Sequence, residues 1–441
     1  MSETLKKPPV LDETGRAIQA AILQVAGAIN AESGVIYGFH IDGSESDPAS
    51  KVQYLKDAVG MTPAKMNYTS GKFEYGSWEN AFFMPRPCML RYDGTVAYYL
   101  NPNDYTKKED GTASDVGSTS FTGNAMMEWG RNGKKIWMKI VPDSNHLGAS
   151  VYISDHQVDS GYHDWPFHNS KGASVDHFYT PIYNGSLDTN SKLRSLSGQT
   201  VMKTKTAENE ITYAKNNNPV AANVMWNIEM HCDIDLINML LVLMGKSTDT
   251  QTVFGKGLID SGSETVNDGF TTGVHNAKGL FYGTNAGAAA TYTNAVKVFG
   301  MENWWGFQWR RYLGHIMDTG VQKVKNTYGT EDGSTVSDYN LTGSGYKSTG
   351  AATLSGNNGS GWIKNEYYTE DGMFPSGALE GSNTTYYADY CWFNNDSVRV
   401  PLRGGNSNNG ANCGAFCVNL NGTASIAYWG FGAALSCKPL A

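Results

Sequence analysis

Charge is what this sequence has least of. Only 17% of its residues are Asp, Glu, Lys or Arg, the formal net charge is −8, and no basic run occurs along its 441 residues. That excludes nucleic acid as the main partner, because neutralising phosphates takes clustered Lys and Arg. An anionic membrane surface is disfavoured on the same ground. Long apolar runs are missing too: no segment reaches the roughly 18 apolar residues of a membrane span, and the opening MSETLKKPPVLDETG has no apolar core of the signal-peptide kind. The expectation is a soluble chain with no membrane insertion, made without a signal peptide.

Cysteine is sparse as well. Cys88, Cys232, Cys391, Cys413, Cys417 and Cys437 are spread over the whole length, which excludes a disulfide-stapled miniature and predicts free, buried thiols. Cys413 and Cys417 have no second Cys or His pair at ligand spacing nearby, so no zinc site is expected. His156, His163, His168 and His177 gather near Asp155, Asp164 and Asp176, but no pair matches the spacing of a known helical metal motif. No metal and no cofactor are expected.

What is plentiful is glycine and aromatic residues, with 50 Gly, 25 Tyr and 11 Trp beside an apolar fraction of 40%. This composition predicts a β-rich, turn-rich chain with aromatic cores and few helices. The length suits two or three domains.

Along the chain, Leu11, Ile18, Ile22, Val25 and Ile29 recur at steps of four and three once Gly15 is counted, a short heptad seam. Ile at both seam positions favours three strands, and a helix packed on its own domain reads the same way. Short runs then alternate with turns, and Asp93-Gly94 between CMLRY and TVAYYL predicts a hairpin. Trp78, Phe82 and Phe83 read as core. The polar loop NPNDYTKKEDGTASDVGSTS suits a boundary. DLINMLLVLMG predicts a core helix with Ile237, Leu240, Leu241 and Met244 on one face, capped by Asp233 or Asp235 and ended at Gly245. Beyond it, long polar stretches such as GLIDSGSETVNDGFTTG and GAATLSGNNGSG alternate with the aromatic anchors GMENWWGFQWRRYLG, GWIKNEYY and YYADYCWFNN. Loops of that length on a rigid scaffold are where recognition resides.

From Asp233 to Ala441 the text runs through a helix, Gln251 with the turn FGKG, the aromatic turn GMENWWG, then RGG and a terminal strand with Gly432. That order resembles the C-type-lectin fold as built in the formylglycine-generating enzyme group and in the variable proteins of diversity-generating retroelements. Gly300 to Gly306 and Arg403 to Gly405 carry the resemblance. GYHDWPFHNSKGASVDHFYTPIY resembles the opening strands of that fold, and the residues before Thr119 resemble attachment regions of phage tail proteins. The implied class is α+β. Residues 1–33 form a helical attachment or oligomerisation segment and 34–118 a β-rich module, while 119–441 form a C-type-lectin-like domain with long irregular loops and a variable region at about 386–435.

The two branches of the resemblance imply different functions. The enzyme branch would put its cysteine pair near Asn409 and Cys413, where only one thiol stands; Cys417 departs from that pattern. From Gly404 to Leu435 there is also no Lys, Arg or His to lower a thiol pKa. The retroelement branch implies a terminal segment rewritten on a fixed framework. The framework would be Trp392, Phe393, Arg403, Gly404, Gly405, Gly414, Phe416, Trp429, Gly432 and Ser436 to Pro439. Its ligand-binding positions would be Tyr390, Ser397, Arg399, Pro401, Leu402, Asn406, Asn408, Asn412, Asn419, Ile426, Tyr428 and Phe431. Tyr offers contact area at low entropy cost, and Asn and Ser adapt their hydrogen bonds. The implied protein is a phage tail-tip adhesin and not an enzyme. It would be a homotrimer carried on the virion, with a bacterial surface receptor, protein or glycan, and other tail proteins as partners. A cysteine-dependent oxidase and a purely structural tail protein are the alternatives.

Overall fold

Asp93-Gly94 does turn one strand back on its neighbour in the structure, a computed structural model that describes residues 34–260, 268–286, 292–351 and 358–440. Gly94 takes the left-handed conformation at φ +82°. The Asp93 carboxylate accepts from the Thr95 amide and hydroxyl at 2.9 and 2.7 Å, closing the turn between Arg86–Arg91 and Val96–Asn101. The heptad seam from Leu11 to Ile29 lies outside the described residues.

Strands far outnumber helices among the described residues, as the composition predicts. Ile36–Ile41, Val52–Lys56, Trp137–Pro142 and Ala149–Ser154 make a four-stranded antiparallel sheet. A seven-stranded sheet runs in the spatial order Trp226–Ile228, Leu435–Cys437, Phe178–Pro181, Gly123–Trp129, Arg86–Arg91, Val96–Asn101, Asp104–Lys108. Arg86–Arg91 pairs with Gly123–Trp129 from Arg86 opposite Glu128 to Arg91 opposite Gly123, and Ile36–Ile41 pairs with Ala149–Ser154. The boundary expected near residue 118 therefore falls inside two shared sheets. Gly123–Trp129 is buried at every residue and needs a strand on each side to satisfy its backbone. Trp78 and Phe83 are core, as expected, and Phe82 packs half-buried against them.

The helix His231–Gly245 runs through the middle of the molecule and is buried on every side up to Met244. It is the core helix the sequence predicts, with Ile237, Leu240, Leu241 and Met244 buried, and because it is enclosed all round its burial extends to the other faces as well. Asp233 and Asp235 do not cap it; Met230 stands at the N-cap. Asp233 instead accepts from Lys438 Nζ at 2.7 Å and Ser436 Oγ at 3.1 Å, and Asp235 accepts from the Met373 amide at 3.0 Å. Gly245 is the last helical residue, and Lys246 takes the left-handed turn after it at φ +48°. Two carboxyl side chains of the helix thus tie down the C-terminal strand and the 373 region. The chain end packs tightly because Leu435–Cys437 lies between two other strands of the seven-stranded sheet. No helix among the described residues is long and apolar enough to cross a membrane.

Candidate binding face

A third sheet gathers the terminal segment. Its six strands lie in the order Asn358–Trp362, Tyr390–Asn394, Val418–Leu420, Leu402–Arg403, Trp309–Arg311, Phe431–Ala433. Side chains alternate across a strand, so pairing register decides which residues share a face. Ser360 stands opposite Trp392 and Trp362 opposite Tyr390. Trp392 is level with Asn419, Asn419 with Leu402, and Trp309 with Phe431. These residues look one way. Cys391, Phe393, Val418, Leu420, Arg310 and Arg403 look the other way and are all buried.

The inward face is locked by a buried ionic group. Glu229 Oε1 accepts from Arg403 at 2.6 Å and from Arg310 at 3.2 Å. Arg403 also lies 3.6 Å over the Trp304 ring, and burial pulls its pKa down to about 10. Trp304 donates to Asn238 on the central helix at 2.9 Å, and Asn238 donates to the Ala415 carbonyl at 2.8 Å. The Gly306 amide donates to Gly404 O at 2.9 Å, and the Gly404 amide donates to Cys417 O at 2.8 Å. Gln251 donates to the Cys413 carbonyl. GMENWWG, RGG and Gln251, the residues that suggested a framework, are thus one connected structure.

The outward face is aromatic. The centroids of Trp362 and Tyr390 are 5.3 Å apart, those of Tyr390 and Trp392 4.5 Å, and those of Trp392 and Trp309 5.6 Å. Trp309 and Leu402 are buried beneath, and Trp392 and Phe431 pack half-buried upon them. Ser360 is exposed, Asn419 is half-buried, and the Tyr390 hydroxyl donates to Ser360 Oγ at 3.3 Å. At the far edge the 421–430 loop adds Ile426 and Tyr428, 38% and 41% exposed, with Tyr428 touching Phe431 and Trp429 at centroid distances of 5.3 Å. That loop is held from below. Arg311 pairs with Glu210 at 2.9 Å and donates to Ile426 O, and the Thr204 amide donates to Tyr428 O at 3.2 Å.

Of the positions expected to meet a ligand, Tyr390, Asn419 and Phe431 lie on this face and Ile426 and Tyr428 on its adjoining loop. Ser397 and Asn412 are half-buried and Asn408 is exposed, in loops beside the sheet. Four expected positions are buried, against the exposure expected of them: Arg399, Pro401, Leu402 and Asn406. Arg399 gathers loop carbonyls, donating to Asn394 O at 3.0 Å and Asn421 O at 2.6 Å while pairing with Asp396. Pro401 follows it into the interior. Leu402 points outward but lies under the aromatic rings. Asn406 organises its own loop, its side chain accepting from the Asn408 amide at 3.0 Å and its carbonyl from the Cys413 thiol at 3.3 Å.

The sequence reading missed Ser360 and Trp362 and took Trp392 and Trp429 for framework, though both are half-buried beside the exposed groups. Asn358–Trp362 lies in a stretch that reads as a loop for its glycines. Those glycines face inward because nothing larger fits: a Cβ on Gly359 would come within 2.3 Å of the Phe393 ring, and one on Gly361 within 2.7 Å of Leu379. The alternation of Tyr390, Cys391, Trp392 and Phe393 is the signal that marks the neighbouring strand.

The cysteine thiols belong to the interior. All six are free and buried, as the sequence predicts. Burial pushes the Cys413 and Cys417 thiols well up, and Asp389 adds to the effect at both. The histidines near Asp155, Asp164 and Asp176 are dispersed among structural partners. His168 meets Asp164 at 2.9 Å, His156 meets Asp155 at 3.0 Å, His163 stacks on Trp165, and His177 meets the Trp129 carbonyl at 3.3 Å. Among the described residues no group of three or more His, Cys, Asp or Glu is placed to hold a metal ion.

No family model matches the chain, and no curated protein does. Among solved structures it is similar to the Major Tropism Determinant U1 Variant, with 14% identity, a TM-score of 0.27, and coverage of 80% of this chain and 72% of that one. It is likewise similar to the Major Tropism Determinant P3c Variant, with 13% identity, a TM-score of 0.26, and coverage of 80% and 72%.

Proposed function

We propose that this chain is a phage tail-tip adhesin whose outward aromatic face binds a receptor on the bacterial surface. The reading rests on one observation: five of the twelve positions expected to vary, Tyr390, Asn419 and Phe431 with Ile426 and Tyr428, meet on one solvent-facing sheet surface and its adjoining loop, while the opposite surface is fixed by Glu229, Arg310 and Arg403. Such a sheet can change what it binds without changing how it folds. The N-terminal region attaches the adhesin to other tail proteins, and its seam assembles three copies on the virion, so that weak single contacts add by avidity. The 386–435 segment is the diversified part on a lectin-like scaffold. No chemistry is assigned: two buried thiols with raised pKa lack the thiolate character that cysteine catalysis requires.

The test is binding of the labelled full chain to a panel of bacterial strains. Tyr390→Ala and Tyr428→Ala are expected to lower binding about tenfold, the Tyr428 change shifting stability by about 0.5 kcal/mol or less. Failure to bind any strain, or unchanged binding by both variants, defeats the reading.

A further inference from the structure

We propose that the ligand of the outward face is an uncharged, polyhydroxylated chain, a neutral glycan of the cell surface; the inference rests on the adhesin reading and narrows it. The first support is the charge of the face. Between Gly404 and Leu435 there is no Asp, Glu, Lys, Arg or His, and none lies in Asn358–Trp362 or Tyr390–Asn394. Three charged pairs border the face: Arg399 with Asp396, Lys364 with Glu380 at 3.0 Å, and Arg311 with Glu210 at 2.9 Å. An acidic glycan or a phosphate polymer would find no free cation among the described groups of these strands. A protein partner would bring its own charges to a surface unable to answer them, and complementary charge is what specifies most protein interfaces.

The second support is what replaces charge. Trp362, Tyr390 and Trp392 form a continuous run of half-exposed rings, whose electron-rich faces attract the electropositive C–H face of a pyranose. Asn419, Asn394, Asn421 and Ser360 border the rings, and an amide both donates and accepts, which suits vicinal hydroxyls.

A hollow of about 460 Å³ adjoins the far edge, where the 421–430 loop meets Thr206 and Leu341. Five hydroxyls line it, from Thr206, Thr342, Ser397, Thr423 and Ser425, above an apolar floor of Val398 and Ala424, with Glu208 its one charged group. Its size falls in the range of small-molecule sites, roughly 300–1,000 Å³. The hollow offers a place for one sugar unit of a chain lying along the rings.

The experiment uses strains that bind the wild-type chain, treated with periodate, which cleaves vicinal diols, or with proteinase K, and measured at low and high salt. Periodate is expected to lower binding about tenfold, and raising NaCl from about 50 to about 500 mM to change affinity by less than about twofold. Loss to both treatments with salt-independence places the glycan on a protein and supports the inference. Loss to protease alone overturns it in favour of a protein receptor, and a steep fall with salt overturns it in favour of a charged ligand. If strains bind and the Tyr variants weaken that binding, only the glycan step is at stake. If no strain binds, the adhesin reading falls and the glycan step falls with it.

Discussion

Trp392 stands edge-on to Trp309, with ring centroids 5.6 Å apart and planes at 81°. The first ring belongs to the terminal segment and the second to the aromatic anchor GMENWWGFQWRRYLG, 83 positions earlier, so the contact joins the face to its foundation. Trp392→Ala removes both the ring offered to a ligand and this edge-to-face pair. Binding is expected to fall about tenfold and stability by about 1–2 kcal/mol, read by urea unfolding. A variant that loses binding with no change in midpoint would show that the ring contact contributes nothing to the fold.

Arg403 is expected to be far more costly to remove. Arg403→Met leaves Glu229 buried with Arg310 alone, and breaking a buried ionic group costs about 3–5 kcal/mol. Pairing the change with Glu229→Gln should restore part of that loss. A single variant as stable as the wild type would refute the role given to the buried group.

Glu366 gives the fold a pH dependence. Burial holds its carboxyl protonated with a pKa near about 8, above its unfolded value of 4.5. Between those values the folded state keeps a proton that the unfolded chain has lost. The stabilisation is complete below about pH 4.5, declines as pH rises, and is gone above about pH 8. Glu366→Gln should raise the melting temperature at pH 8 and leave it nearly unchanged at pH 4. Equal effects at both pH values would rule out this titration.

The thiols give a chemical check. All six are buried, and none should react with Ellman's reagent in the native protein, while all should react after unfolding. Rapid native reaction of one thiol would point to an accessible cysteine and reopen the oxidase alternative.

Much of this was legible in the sequence. Asp93-Gly94 specified its hairpin through a conformation that glycine adopts freely, and the scattered cysteines read correctly as buried thiols. The central helix was legible as a helix, but its caps were not. Asp233 and Asp235 have the right chemistry for an N-terminus and are used instead by partners 203 and 138 residues away. The face was read in part because its strands are short. Leu402–Arg403 is two residues long, too few to display an alternation, and only pairing with its neighbours shows that Leu402 points outward and Arg403 inward. Arg399 and Asn406 look like surface residues by type, but their donors and acceptors are used up locally.

The two-residue alternation of the third sheet also divides the terminal segment into positions that a substitution would expose and positions that it would bury. Along Tyr390–Asn394, a change at Tyr390 or Trp392 alters what the surface offers, whereas a change at Cys391 or Phe393 strikes the interior. A mutational process blind to structure would waste about half its events in such a strand. One confined to the outward codons would spread its variants over new specificities with few folding failures. On the proposed reading, the usable size of the repertoire would be set by geometry, through how many codons face out, and less by how often they mutate.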